Sequence, residues 1–493
     1  MKKGLRETAL ALLLALLAFG LLELGLSLLG VAQPWREGDH YGFDSEAAYL
    51  VPDPDRPGGW VFGREKEGDE ERVAPKGARI RVVVFGGSNA QSFRGGRLPG
   101  ALNGMSGEDR FEVVNLGRGA YGSGRVAIVF DQALERIEPD LALIYTGDNE
   151  FVESVFLRML VDREKEGHLK GLTRPFLRTR TGTLLARLLR SESDGRPEPI
   201  QHTALRFFGN TTYAETLAHY DVLRENLRRM LERAREGGVR VVLMTVVYNR
   251  FAPPWLSTIP PDTEPDDIRA FERLRAEALA LLPAWFEPLL LSRDTARLQA
   301  FDWTSRGEGS AEGRRPDPDL PGRRPCSGPL ANADPLYGDP KVWNEIVYRV
   351  FDSLAILHAR SPGDADLERA EELLLRCVGL LPEHADVHFE LALVQYALGR
   401  NVAEVERRFL LAGDLDRAPQ RANEVVNDTI REVAAEFLEV ELFDADAIFA
   451  ERMPGRLVGY EWMLDHCHMT RGGRIVMMSD LAEAILARWP DLR

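Results

Sequence analysis

Few residues in this chain have the type and setting to do bond-making chemistry. The first is Ser88, in Arg81-Val82-Val83-Val84-Phe85-Gly86-Gly87-Ser88-Asn89-Ala90. The apolar, β-branched run predicts a buried parallel strand, and the two glycines allow a sharp turn that leaves one serine at its carboxyl end. That is where α/β sheets carry chemistry. A serine there is either the N-cap of the next helix or a nucleophile, and the stretch alone leaves both open. A second concentration lies at Asp465-His466-Cys467-His468. Residues so close in sequence converge poorly on one metal ion, so no metal site is expected there. His384 and His388 stand four apart without a third ligand nearby and read as surface histidines.

The surrounding elements suit a catalytic serine. After Ser88 come a helical stretch and the strand Phe111-Glu112-Val113-Val114-Asn115, which runs into the glycine-rich loop Leu116 to Ser123. Ala127 to Ile137 has helical periodicity, and the strand Leu141-Ala142-Leu143-Ile144-Tyr145 then opens into Thr146-Gly147-Asp148-Asn149-Glu150. Strand, helix, strand, helix, strand in this order predicts an α/β fold with a doubly wound parallel sheet. A long helix over Tyr213 to Glu236 and a strand over Val239 to Val247 continue it, and Val440 to Asp444 is the last strand.

Four short motifs in order resemble the SGNH (GDSL-type) serine hydrolases: Gly86-Gly87-Ser88 as first block, the Asn115 loop as second, Gly147-Asp148-Asn149-Glu150 as third and Asp465-x-x-His468 as fifth. The resemblance covers about half of the chain and implies a flavodoxin-like three-layer core. It also implies a Ser-His-Asp mechanism in which Ser88 is the nucleophile, His468 takes its proton and Asp465 orients the imidazole. The oxyanion donors it implies are the backbone N–H of Ser88, the backbone N–H of Ala120 and the side chain of Asn149. Two positions depart from the family pattern. Gly87 stands where an Asp is commoner, and Ala120 where a glycine is usual, which suits donation provided the backbone there does not require positive φ. Similar proteins carry an Asn-rich loop with prolines after the fourth strand and an Arg near an Asp-rich stretch. Asn249, Arg250 and Arg421 are therefore candidate substrate-binding residues. No cofactor is expected.

Composition bounds the rest. The chain has 493 residues, 44% hydrophobic and 28% charged, with a formal net charge of -15, which marks a large globular protein and argues against a nucleic-acid binder. Three cysteines exclude a disulfide scaffold, although Cys326 could bridge to Cys467 in an exported protein. Lys2, Lys3 and Arg6 precede an apolar run from Ala9 to Val31. Roughly 20 apolar residues span a bilayer, so residues 1–33 read as a transmembrane signal anchor, with a cleaved signal peptide as the competing reading. Either places the catalytic part outside the cytoplasmic membrane.

The expected organisation is thus an anchor over 1–33, a Pro/Gly-rich linker over 34–78 and the hydrolase core over 79–305. A loop or lid follows over 306–362, a tetratricopeptide-like helical insertion over 363–413 that is a candidate protein-partner surface, and the rest of the core over 414–493. A basic, partly amphipathic stretch from Arg158 to Arg190 reads as a solvated helical face. Together these features predict a membrane-anchored serine esterase acting on a carbohydrate or lipid-like ester. The alternatives are an O-acetyltransferase of an exported polysaccharide, and a decayed hydrolase serving as an interaction scaffold.

Overall fold

The computed structural model of the protein describes residues 2–29, 49–63, 70–93, 97–155, 157, 179–182, 184, 207–290 and 353–492. Two sheets form within them. Residues Leu50–Pro52 (β1), Trp60–Phe62 (β2) and Glu71–Val73 (β3) make a small antiparallel sheet in the order β1-β2-β3. Residues Ile80–Gly86 (β4), Phe111–Asn115 (β5), Leu141–Tyr145 (β6), Arg240–Met244 (β7) and Glu441–Phe443 (β8) make a five-stranded sheet in the order β5-β4-β6-β7-β8, every neighbouring pair parallel. This is the doubly wound α/β architecture expected from the alternating pattern.

The central strands are largely apolar because both sheet faces are covered. Val82, Val83, Val84 and Phe85 on β4 and all five residues of β6 are buried. Helices Ser123–Arg136, Asp221–Glu236 and Glu424–Ala435 pack together in one layer, while Arg97–Ser106 and Arg471–Arg488 pack on each other in a second. The chain leaves β4 to one side for β5 and returns across it to β6, so the strand order reverses beside β4. At such a switch point the loops on either side diverge and leave a crevice at the carboxyl ends of the strands.

Three regions differ from the sequence-based reading. Part of the expected linker is the small sheet, not an extended spacer: Leu50, Phe62 and Val73 join the main core, and the N–H groups of Tyr49 and Leu50 donate to Gln132. The amino-terminal helix runs Lys2–Leu28 and exposes Leu13, Leu14, Leu17 and Leu21. Among the described residues, however, no helix is long and apolar enough to cross a membrane, in contrast to the transmembrane anchor expected over 1–33. The insertion is helical, as Ala365–Leu380, Ala385–Ala397 and Val402–Asp414, which pack in series behind Pro265–Leu281. Every residue of Ala385–Ala397 is buried, whereas a stacked repeat array presents an open concave face.

The insertion shares a second core with Phe251, Leu457 and Tyr460, and so is packed onto the segments that follow β7 and β8. His384 and His388 lie inside it rather than on the surface: His384 packs against the Phe271 ring, and His388 Nε2 bonds the Pro382 carbonyl oxygen at 2.8 Å. Cys377 is buried there as expected, and burial pushes its thiol up to about 11. Residues 306–352, including Cys326, and most of Arg158 to Arg190 lie outside the described residues.

Candidate active site

The turn after β4 can be built only from glycine. Gly86 has φ +152°, and a Cβ there would come within 1.9 Å of the Tyr145 carbonyl oxygen on β6. Close approach of the two strands at this point delivers Ser88 to the first position of a short helix, Ser88–Gln91. The amide groups of a helix's first turn have no partner within the helix, so the Ser88 N–H is available to a ligand.

The neighbouring loops are tied to this turn. Asn115, at the end of β5, donates from Nδ2 to the Ala90 carbonyl at 2.8 Å and accepts from the Gly117 N–H at 2.9 Å. Gly117 lies so close to Gln91 that a Cβ would meet its nitrogen at 2.3 Å. Beyond it, Ala120 has φ +63°, the left-handed conformation that the expectation for this position required it to avoid. The loop after β6 brings Asn149, whose Nδ2 donates to the Tyr121 carbonyl at 3.2 Å and carries a second N–H.

From the far end of the sequence, the segment between β8 and the last helix completes the group. His468 Nε2 is 2.8 Å from Ser88 Oγ, and His468 Nδ1 is 2.7 Å from an oxygen of Asp465. These contacts define the tautomer: Nδ1–H donates to the carboxylate, and Nε2 accepts from the serine hydroxyl. The other Asp465 oxygen accepts the backbone N–H groups of Cys467 at 2.8 Å and His468 at 2.7 Å. One carboxylate thus shapes the turn and orients the ring three residues later.

The charges follow from these contacts. Burial favours the neutral acid at Asp465, yet His468, His466 and the hydrogen bonds outweigh it and hold the carboxyl well below the ordinary carboxylate range. Burial lowers the His468 imidazole, but the Asp465 carboxylate outweighs it and the ring titrates above its ordinary value. At His466 burial outweighs the Asp465 carboxylate, 4.0 Å from its Nδ1, and pushes the ring down to about 4.

Three residues expected to touch substrate are instead interior. Asn249 is fully buried; its N–H donates to the His466 carbonyl at 3.1 Å and its Nδ2 to the Asp465 carbonyl at 3.0 Å. Arg250 is paired with Asp446 at 2.8 Å, both side chains buried. Arg421 is 2% exposed, bonds the Asn249 carbonyl and lies over the Tyr248 ring. All three are buried away from solvent, and Asn249, itself held by Arg421, braces the loop that carries Asp465 and His468.

The sequence-based reading passed over Asn89 and Asp148. Asn89 Nδ2 donates to Asp148 at 2.6 Å and to the Cys467 carbonyl at 2.9 Å. Each sits inside a recognised motif, beside Ser88 and Asn149 respectively, and that adjacency was the available signal. The Cys467 thiol is free and buried. Ligand atoms of Asp465, His466 and Cys467 lie within 4.8 Å of one another. Both oxygens of Asp465 are nevertheless committed to His468 and the Cys467 N–H, which leaves this group poorly suited to an ion.

The chain is similar to two solved hydrolase structures. A GDSL-like lipase from Bacteroides thetaiotaomicron is 15% identical, covering 36% of this chain and 53% of that one with a TM-score of 0.18. A candidate acylhydrolase from Bacteroides fragilis is 17% identical, covering 42% of this chain and 66% of that one, also with a TM-score of 0.18. The chain thus spans less than two thirds of either protein. No family model and no curated protein matches it. Likenesses this slight carry no weight for the chemistry, and the site stands on its own geometry.

Proposed function

We propose that the protein is a serine esterase of the SGNH type, which removes an acyl group from an ester through Ser88, His468 and Asp465. The observation that carries this reading is the unbroken chain of hydrogen bonds from Ser88 Oγ through the His468 ring to Asp465. Ser88 Oγ attacks the ester carbonyl carbon while its proton moves to His468 Nε2, and Asp465 stabilises the imidazolium formed. The developing oxyanion is held by the Ser88 N–H and the free N–H of Asn149. Collapse expels the alcohol, protonated from His468 Nε2, and leaves an acyl-serine. An incoming hydroxyl, its proton taken by the same nitrogen, then attacks the acyl carbon and releases Ser88.

Purified protein should turn over a short-chain aryl ester and should be labelled at Ser88 by a fluorophosphonate. Ser88→Ala should lose both. Full turnover in that variant would sink the reading, and absence of labelling in folded protein would favour a scaffold. Water and a sugar hydroxyl can accept from the same intermediate. Acetyl release compared with acetyl transfer in the presence of an oligosaccharide separates hydrolase from transferase. Export of the catalytic part belongs to the same proposal, supported by the basic and then apolar amino terminus, and protease accessibility in intact cells tests it.

A further inference from the structure

Asn89 and Asp148 make a buried polar contact that the acyl-transfer chemistry above does not use. Asn89 is 1% exposed and Asp148 5%. Through one amide group Asn89 reaches both Asp148 Oδ2 and the carbonyl of Cys467, the residue before His468. The other oxygen of Asp148 accepts from the Ala422 N–H at 3.2 Å. Two side chains thereby join the nucleophile turn, the Asn149 loop, the His468 loop and the segment entering helix Glu424–Ala435. Among the described residues no lysine or arginine forms an ion pair with Asp148. A buried carboxylate with only neutral hydrogen-bond donors destabilises a fold relative to an apolar residue, so its presence calls for another role.

We propose that Asn89 and Asp148 are positioning residues for the ester hydrolysis: Asn89 sets the distance between Ser88 and the His468 loop, and the Asp148 carboxylate is a second negative charge that stabilises the His468 imidazolium. This rests on the esterase reading. Burial pushes Asp148 up to about 6, so it carries its charge at neutral pH. The charge adds to that of Asp465 in raising His468, against burial and the opposing effect of Arg474. His466 and the Cys467 thiol are the other titratable groups facing that ring. Asp148 is joined through the Asn89 amide to the residue before His468, and its charge acts on His468, Asp465, Glu150, Tyr145 and Cys467. Two carboxylates on one imidazole favour its protonated form when Ser88 gives up its proton, and an amide linking two loops keeps that geometry in advance.

The test compares Asp148→Asn and Asn89→Ala with the unaltered protein, measuring kcat and KM for an aryl ester against pH, together with the thermal midpoint. Asp148→Asn removes the charge and keeps the shape. Its kcat should fall about 10-fold with KM unchanged, and the acidic limb of kcat/KM should move to lower pH. Asn89→Ala should lower kcat by a similar factor and move that limb less than Asp148→Asn does, because the amide that helps keep Asp148 ionised is lost while the carboxylate itself remains. A wild-type kcat and an unmoved limb in Asp148→Asn would overturn the proposal. Should that variant not fold, wild-type kcat in Asn89→Ala would overturn it equally. If the unaltered protein neither turns over ester nor labels with fluorophosphonate, the esterase reading itself fails; labelling and turnover with silent variants remove only this inference.

Discussion

Asn149 fills the space that a side chain on Gly87 would need. A Cβ at Gly87 would lie 2.3 Å from Asn149 Nδ2 and 3.1 Å from the Tyr121 carbonyl oxygen. The missing carboxylate before the nucleophile is thus a consequence of where this chain puts its amide. Gly87→Ala and Gly87→Asp should push Asn149 away from Ser88 and lower kcat about 100-fold, the size of effect seen when one oxyanion donor is lost. KM should change little. Steady-state kinetics on either variant checks this, and undiminished kcat would show that Asn149 does not act on the oxyanion.

Ala120 holds a left-handed backbone at φ +63° beside the nucleophile turn. An L-residue with a Cβ loses about 1 kcal/mol in that conformation relative to glycine. Ala120→Gly should therefore raise the thermal midpoint by about 1 °C in a chain of this length, with kcat within about twofold of the parent, and Ala120→Val should lower both. Calorimetry paired with an ester assay reads the two effects.

Asn249 holds the catalytic loop from beneath, through the carbonyls of Asp465 and His466. Asn249→Ala removes the bond to Asp465 and leaves a buried carbonyl unpaired, which destabilises by about 1–3 kcal/mol. Loosening of His468 should lower kcat about 10-fold at unchanged KM. A rise in KM alone would instead return Asn249 to the substrate-binding role that its burial argues against.

Glu150 is 8% exposed and accepts from the Ser123 N–H at 2.9 Å and hydroxyl at 2.7 Å. Burial pushes its carboxyl from 4.5 up to about 7. The folded state then binds a proton that the unfolded state has released, so this contribution to stability is full below the unfolded value and is lost as pH rises through the folded one. Thermal midpoints should fall between about pH 5 and pH 8, and Glu150→Gln should flatten that fall. Ester turnover should rise over the same range, because His468 must be neutral to accept the proton and its pKa is raised. An unchanged slope in Glu150→Gln would assign the pH dependence of stability to other buried carboxylates such as Asp414.

Local pattern alone was enough for the doubly wound sheet and for the four segments that meet at its edge. Parallel strands buried on both faces need unbroken apolar runs, and Val82 to Phe85 and Leu141 to Tyr145 display them. Glycine at 86 and 147 likewise marks positive φ, whose geometry is local. What the composition of a loop does not encode is which way its polar side chains face. Asn249, Arg250 and Arg421 read as ligand-binding residues until the packing of residues far apart in sequence turned them inward. The same long-range packing buried His384 and His388, and it made a sheet of a segment rich in proline and glycine.

The sequence by itself determined the residue types of the site, because a nucleophile, a base and an orienting carboxylate each need particular atoms, and their order along the chain is a covalent fact. Only the tertiary structure decided that Ser88 and His468, 380 positions apart, share a hydrogen bond. It likewise decided that Asn89 and Asp148 lock the two loops together. Such contacts depend on loop closure and on burial across the whole sheet edge, and neither is written in any single window of sequence.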